Sequence, residues 1–303
     1  MSMGFDAGAF KRNLVYTRSA PVETILEDLA AIHGLVAKQA KSGFLSGLVI
    51  ALSIMGILGG FVGLVVGAET RSDTVFRASG IAIVASVVLL IVAVVWRSLK
   101  KGKTPVPKRA HLVDRVLRLL ERDIGKGVPI DVKMDVRSPA RSEVFTGKGQ
   151  AGHWDAKYYE DPWLELSGRF ADKTSFNFGL TEKHQARHRV KRSASGKRKS
   201  KTKSKSSHLA ALRLKPKPEA YQFLDQIGPS AAGAVKLPRF AEPKEITVAQ
   251  GQASLKAVAR ADWKAPAPGE PDEQPSGTDL VAMMFLSLYH VLNLSREVTK
   301  KVA

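Results

Sequence analysis

Two long apolar runs constrain this chain more than any other feature. Between Lys41 and Glu69 lie 27 residues without a charge, SGFLSGLVIALSIMGILGGFVGLVVGA, and between Arg77 and Arg97 lie 19 more, ASGIAIVASVVLLIVAVVW. As helices they measure about 40 Å and about 28 Å, against a hydrocarbon core of about 30 Å. A buried core helix is the plainer origin of one such run. Two of them separated by nine residues, in a chain this polar elsewhere, read as a transmembrane hairpin. The first starts too late, and lacks the small-residue cleavage pattern, to read as a removable signal peptide.

The flanks suggest an orientation. Lys38 and Lys41 precede the first run, and Arg97, Lys100, Lys101, Lys103, Lys108 and Arg109 follow the second. The connecting ETRSDTVFR carries two acidic and two basic residues. Positive charge stays on the cytoplasmic side, so the expectation is an integral membrane protein with both termini cytoplasmic. The segments expected are an N-terminal cytosolic stretch over 1–42, membrane helices over 43–67 and 78–96, an external loop over 68–77, and a basic juxtamembrane linker over 97–110.

Within the first run, Gly43, Gly47, Ala51, Gly59, Gly63 and Gly67 fall on one four-residue ladder broken by Met55, with Gly56 and Gly60 as an adjacent pair. Small residues at this spacing let helix backbones approach closely in lipid. The ladder reads either as a homo-oligomer or pore surface, or as packing against Ala78, Ala82 and Ser86 of the second run. Packing within the chain is the plainer reading.

Outside the runs, residues 1–20 carry no clear periodicity and are expected to be irregular. From Pro21 onward, Ile25, Leu29, Ile32 and Val36 recur at helical spacing, predicting an amphipathic helix that runs into the first span. A second such helix is expected over 110–124, with Leu112, Val113, Val116, Leu117, Leu120 and Ile124 on its apolar side and Gly125 and Gly127 stopping it. Strand-like stretches follow at 128–136, 153–159, 163–170, 175–192, 197–215 and more loosely within 233–261. A helix followed by a run of strands points to a cytosolic α+β domain over 111–263, mainly antiparallel. A Pro-rich linker over 264–278 contains Glu270, Asp272 and Glu273, and an apolar helix over 279–299, capped by Thr278 or Asp279, closes the chain. Its uncharged run, Leu280 to Ser295, is 16 residues. That is short for a span, so it is expected to dock on the domain, the hairpin or the membrane interface, with a third span as the alternative.

The most specific pattern lies in RHRVKRSASGKRKSKTKSKSS, Arg187 to Ser207. Period-two alternation over 175–192 and 197–214 is a strand signal. Closing the strands through Ala194, Ser195 and Gly196 sets Phe176 opposite Leu214, Phe178 opposite Leu212 and Leu180 opposite Ala210. It also sets Arg187 opposite Lys203, Arg189 opposite Lys201 and Lys191 opposite Lys199. The expectation is a long basic β-hairpin, apolar at its base, with Arg187, Arg189, Lys191, Lys197, Lys199, Lys201, Lys203 and Lys205 as an anion-binding face. A solvated disordered loop is the plainer alternative. Like charges directly opposite each other are destabilising, so such a face calls for an anion.

Lys and Arg number 47 against 28 acidic residues, a formal net charge of +19, which favours a polyanionic partner over a neutral one. From Lys183 to Lys205 there are eleven basic residues and no acidic one. Each basic residue near an anionic leaflet contributes about 1 kcal/mol. Nucleic acid is the rival, but the stretch between Phe178 and Tyr221 holds no aromatic for base stacking. There is no cysteine, which excludes disulfides and thiolate chemistry. Glu182, His184 and His208 converge in the proposed register as a candidate metal set, without signature spacing. Neither GKGVP nor GKGQAGH fits a phosphate loop, and no nucleophile or H-E-x-x-H motif is present. The reading is therefore not an enzyme and needs no cofactor. It is a membrane-anchored scaffold or regulatory protein whose basic hairpin binds anionic phospholipid or an acidic protein, with Glu270 to Glu273 as an internal mask. The alternatives are a glycine-zipper channel component and a membrane tether for nucleic acid.

Overall fold

The structure, a computed structural model of the chain, describes residues 5–99, 105–192, 196–221, 224–249, 251–271 and 273–302. The chain divides into two compact units: residues 34–105, and residues 1–33 together with 106–303.

The first unit is helical. α1 (Ala7–Asn13) belongs to the other unit, and α2 (Val22–Glu69) begins there and continues through the first apolar run. α3 (Asp73–Leu99) carries the second. Stretches Gly47–Glu69 and Asp73–Trp96 are long and apolar enough to cross a membrane, and most of their large apolar side chains are exposed, among them Leu58, Phe61, Ile81 and Val84. The external loop expected over 68–77 is shorter than that. Only residues 70–72 lie between the helices, because charged residues at the ends of an apolar run do not by themselves stop a helix. A Cβ on Gly56 would meet Ser86 Oγ at 2.4 Å, one on Gly60 Ile83 Cγ1 at 2.5 Å, one on Gly63 Ser79 Oγ at 2.3 Å, and one on Gly67 the Phe76 backbone nitrogen at 2.9 Å. Those four glycines let α3 lie against α2. Gly47 and Gly59, expected on the same ladder, face open space, and the surroundings of Gly43 lie outside the described residues. The packed line is therefore 56, 60, 63 and 67 rather than a strict four-residue ladder. This is the drift expected of 3.6 residues per turn.

The second unit is an eight-stranded antiparallel sheet in the order β1-β2-β4-β5-β6-β8-β7, with β3 pairing β4. Its strands are β1 (Val15–Pro21), β2 (Pro129–Asp135), β3 (Phe145–Ala151), β4 (Trp154–Arg169), β5 (Ser175–Arg192), β6 (Arg198–Lys215), β7 (Ala241–Ala249) and β8 (Gln252–Ala259). The N-terminal stretch is not irregular. α1 is capped by the Asp6 carboxylate, which accepts from the Gly8 and Ala9 amides, and β1 pairs with β2 along its whole length. The apolar helices are thus inserted between two neighbouring strands. β1 escapes a periodicity search because it is a short edge strand ending in proline. The N-terminal turns of α2 belong to the same fold, with Asp28 accepting from Tyr16 Oη at 2.6 Å and paired with Arg18.

Residues 154–169 form one strand where the sequence suggested two. A bulge between Pro162 and Leu164 absorbs the proline and turns Trp163 into the core. α4 (Pro107–Leu120) starts inside the expected linker and ends earlier than expected, yet Leu112, Val113, Val116, Leu117, Leu120 and Ile124 are all buried. α5 (Gly228–Ala234) precedes β7. α6 (Gly277–Val302) is opened by Ser276, whose Oγ accepts from the Asp279 amide, in place of the expected Thr278 or Asp279 cap. α6 docks on the sheet. Phe285 meets Phe176 and Phe178 with ring centroids 5.9 and 6.0 Å apart, and Leu288, Val291 and Leu292 are fully buried.

Candidate polyanion-binding face

β5 and β6 pair from Ser175–Lys215 to Arg192–Arg198. Residues facing one another include Phe176 and Leu214 at one end, and Arg187 and Lys203, Arg189 and Lys201, Lys191 and Lys199 at the other. Gly196 takes the left-handed conformation at φ 75°, where a side chain is disfavoured. Ala194 and Ser195 of the expected turn lie outside the described residues, and Lys197 directly precedes β6.

A buried ionic joint separates the two ends. Arg109 of α4 donates through Nη2 to Glu182 Oε2 at 2.8 Å and sits 2.8 Å from Asp161 Oδ2, while its Nη1 donates to the carbonyls of Asp135 and Arg137. Arg141 holds the other side of Asp161 and reaches Asp135. Asp161 and Glu182 are directly opposite each other on β4 and β5, a like-charge pair that stands only because two guanidinium groups lie against it. Burial works against ionisation of Glu182, but the Arg109 hydrogen bond and charge outweigh it and hold the carboxyl below its ordinary range. Two of the charges expected to flank the second run, Lys108 and Arg109, thus have partners within the sheet domain. Lys108 pairs with Asp262, and Arg109 is fully buried.

Beyond the joint, the faces of the ladder differ. One presents His184, His188, Ser200 and Ser206, linked by His188–Ser200 and His184–Ser206 hydrogen bonds of 2.9 Å. The other is the face of the sheet not covered by α4 or α6, and it is built from rows. β6 supplies Lys199, Lys201, Lys203 and Lys205, while β5 supplies Gln185, Arg187, Arg189 and Lys191. β4 supplies Ala156 opposite Arg187 and Tyr158 opposite Gln185, and β3 supplies Gly149 and Gly147 opposite those two. Trp154 shares this face, with Lys203 Nζ 5.6 Å from its ring centroid. The Tyr158 ring lies over Gly149, where a Cβ would come within 3.3 Å of it.

The cationic row thus has aromatic neighbours, contrary to what the interval from Phe178 to Tyr221 suggested. Alternation in WDAKY already puts Trp154, Ala156 and Tyr158 on one face. What the sequence does not contain is the identity of the neighbouring strand. β6 between Arg198 and Ser207 pairs with β5 alone, whereas its inner half also pairs with β8. Lysines guard such open edges against strand addition. Edge protection does not account for Arg187, which sits on a strand flanked on both sides.

Two weaker candidates raised by the sequence are placed differently by the structure. Glu182, His184 and His208 do not make a metal site, and no group of three His, Asp or Glu side chains suited to a metal occurs among the described residues. Glu182 is turned to Arg109 and Ser206, and His208 is buried beside Trp263. Glu270 and Glu273, the described acidic residues of the linker, are engaged away from the cationic row. Glu273 pairs with Lys264 at 2.6 Å, the Glu270 carboxylate accepts from the Ala267 amide, and Arg115 of α4 donates to the carbonyls of Pro266 and Ala267. Asp272 lies outside the described residues. Compared with known proteins, the chain matches no family model, no curated protein and no solved structure.

Proposed function

We propose that this is a membrane-anchored scaffold or regulatory protein whose sheet domain holds anionic lipid headgroups on the cationic face of β5 and β6. The observation that carries the reading is the stacking of Arg187–Lys203, Arg189–Lys201 and Lys191–Lys199 as directly opposed like charges on an open sheet face. An arrangement that disfavours its own folding gains its stabilisation from a bound polyanion. The two apolar helices are continuous in sequence with this domain at both ends, so a cytoplasmic leaflet, reached with both termini on that side, is the polyanion nearest to hand. Half-buried Trp154 and Tyr158 suit a headgroup layer, where amphipathic rings concentrate.

The test uses the full chain, because β1 and the start of α2 belong to the sheet domain. Reconstituted in neutral nanodiscs, it is expected to capture vesicles containing phosphatidylserine and to ignore phosphatidylcholine vesicles. Replacing Lys199, Lys201, Lys203 and Lys205 with Gln is expected to abolish capture. Indifference of the unmodified chain to both vesicle types removes the reading.

Trp154 and Tyr158 beside a basic row also favour a second reading, a membrane tether for single-stranded nucleic acid. Retention of an oligonucleotide with a steep salt slope, lost in Trp154→Ala and Tyr158→Ala, would select it.

A further inference from the structure

The cationic face is not flat. Midway along it, between the ionic joint and the tip, lies a shallow concavity of about 500 Å³ bordered by Tyr158, Glu160, Lys183, Gln185, Arg187 and Lys205. Three antiparallel strands build it in register: Tyr158, Gln185 and Lys205 form one cross-strand row, and Glu160, Lys183 and Ser207 the next. The size is that of a small-molecule site.

Its chemistry is more selective than a row of lysines. Arg187 is not a loose surface side chain. Its Nε and Nη2 both donate to Gln185 Oε1, at 2.9 and 2.6 Å, which fixes the guanidinium plane and leaves further N–H groups to offer. A donor fork braced before binding loses less freedom when a ligand arrives. Lys183 is steadied from the other side by Glu160 at 3.5 Å. Three cations against one carboxylate give the hollow a net charge of +2. A phosphodiester headgroup carries a single negative charge, whereas a phosphomonoester carries about −1.5 to −2 at neutral pH and presents three acceptor oxygens. The Tyr158 ring supplies an apolar wall for whatever the phosphate is attached to.

From this charge match and the braced arginine we infer that the concavity is a specific site for a phosphomonoester group, with Arg187, Lys183 and Lys205 holding the phosphate and Tyr158 packing its substituent. The inference rests on the reading of this face as anion-binding and narrows it. Lysines nearer the tip, Lys199 and Lys201, give general attraction to a charged surface, and the hollow gives discrimination. The phosphomonoester can belong to a lipid, such as phosphatidate, or to a soluble molecule.

The test separates those sources. Full-length protein in phosphatidylcholine nanodiscs is presented to phosphatidate vesicles and to phosphatidylglycerol vesicles of matched surface charge, and titrated with soluble inositol 4-phosphate. The expected result is capture by phosphatidate vesicles about tenfold tighter than by phosphatidylglycerol vesicles, the scale of one charge-assisted hydrogen-bonding group. Arg187→Gln and Lys205→Gln should each erase that preference, while Lys199→Gln with Lys201→Gln weakens capture by both vesicles alike. Binding of inositol 4-phosphate, lost in Arg187→Gln, without any vesicle capture supports the site with a soluble ligand and removes the lipid reading. Equal capture by the two vesicles with no binding of the soluble phosphate overturns the phosphomonoester site and leaves general lipid attraction standing. Failure of all three probes overturns both.

Discussion

β5 and β6 form one ladder with two halves of opposite chemistry. At the base, Phe176, Phe178, Leu180, Ala210, Leu212 and Leu214 are buried under α6, and β4 and β8 flank the pair. In the outer half the same two-residue alternation gives a cationic row on one side and a Ser and His row on the other, without β8 beside it. Alternation decides which residues share a face. What covers that face decides whether the result is core or binding surface. The joint of Arg109, Arg141, Asp161 and Glu182 marks the change, and Glu182 is the last acidic residue before the eleven cations.

The joint is where the comparison breaks most easily. Arg109→Met leaves Glu182 buried without a guanidinium, holding the Ser206 hydroxyl and with His184 Nδ1 3.9 Å away, since Asp161 keeps Arg141. Loss of about 5 kcal/mol is expected, the upper end for orphaning a buried charge, read by chemical denaturation in detergent. The pH dependence identifies the cause. In the parent chain the folded-state pKa of Glu182 lies below its ordinary 4.5, so its contribution is fully present above about pH 4.5 and fades as pH falls below it. Without Arg109, burial raises that pKa and the variant recovers relative stability on acidification. The gap between the two proteins should therefore narrow toward low pH. A gap independent of pH would mean that lost packing on Trp163, 5.1 Å from the guanidinium, is the whole effect.

Phe178→Ala tests the base alone. The side chain is fully buried against Phe285, and about 4 kcal/mol is the expected cost of the cavity. Vesicle capture by the variant, measured where it remains folded, should be unchanged.

Much of this ladder was legible because strict alternation is a strong, local signal. Each strand carries it for 18 residues, and the apolar end admits a single register that buries Phe176, Phe178 and Leu180 together. The two apolar helices were legible for a similar reason, since hydropathy over twenty residues needs no tertiary context. The remainder depends on long-range contacts. β1 pairs with a strand more than a hundred residues away and carries no core pattern of its own. Trp154 and Tyr158 became part of the site through β4, whose continuity was hidden by Pro162 at the bulge. Arg109 looked like a membrane-flanking charge because its partners, Asp161 and Glu182, come from distant strands. Charges are informative in sequence only when their neighbours are known.

A smaller effect separates the halves dynamically. Amides of residues 176–180 and 210–214 should exchange only on global opening, whereas those of 186–191 and 199–204 should open about 2 kcal/mol more easily, seen as exchange about thirtyfold faster. Phosphatidate vesicles are expected to slow the outer set and leave the inner set as it was. Uniform protection along both strands would show the ladder to be one cooperative unit.

The smallest predicted effect has the opposite sign, which makes it the sharpest. Lys201 faces Arg189 across the ladder within the exposed cationic row. Lys201→Glu turns a repelling pair into an attracting one, and about 0.5 kcal/mol of added stability is expected, while every substitution at the base is expected to destabilise. Capture by anionic vesicles should fall in the same variant, since the change removes one positive charge and adds a negative one among its neighbours. A gain in stability joined to a loss of binding is what a face kept cationic for a ligand predicts. If Lys201→Glu instead destabilises the fold, the lysine contributes to the strand itself, as an edge guard does, and the charge pattern then reports on protection of β6 rather than on a partner.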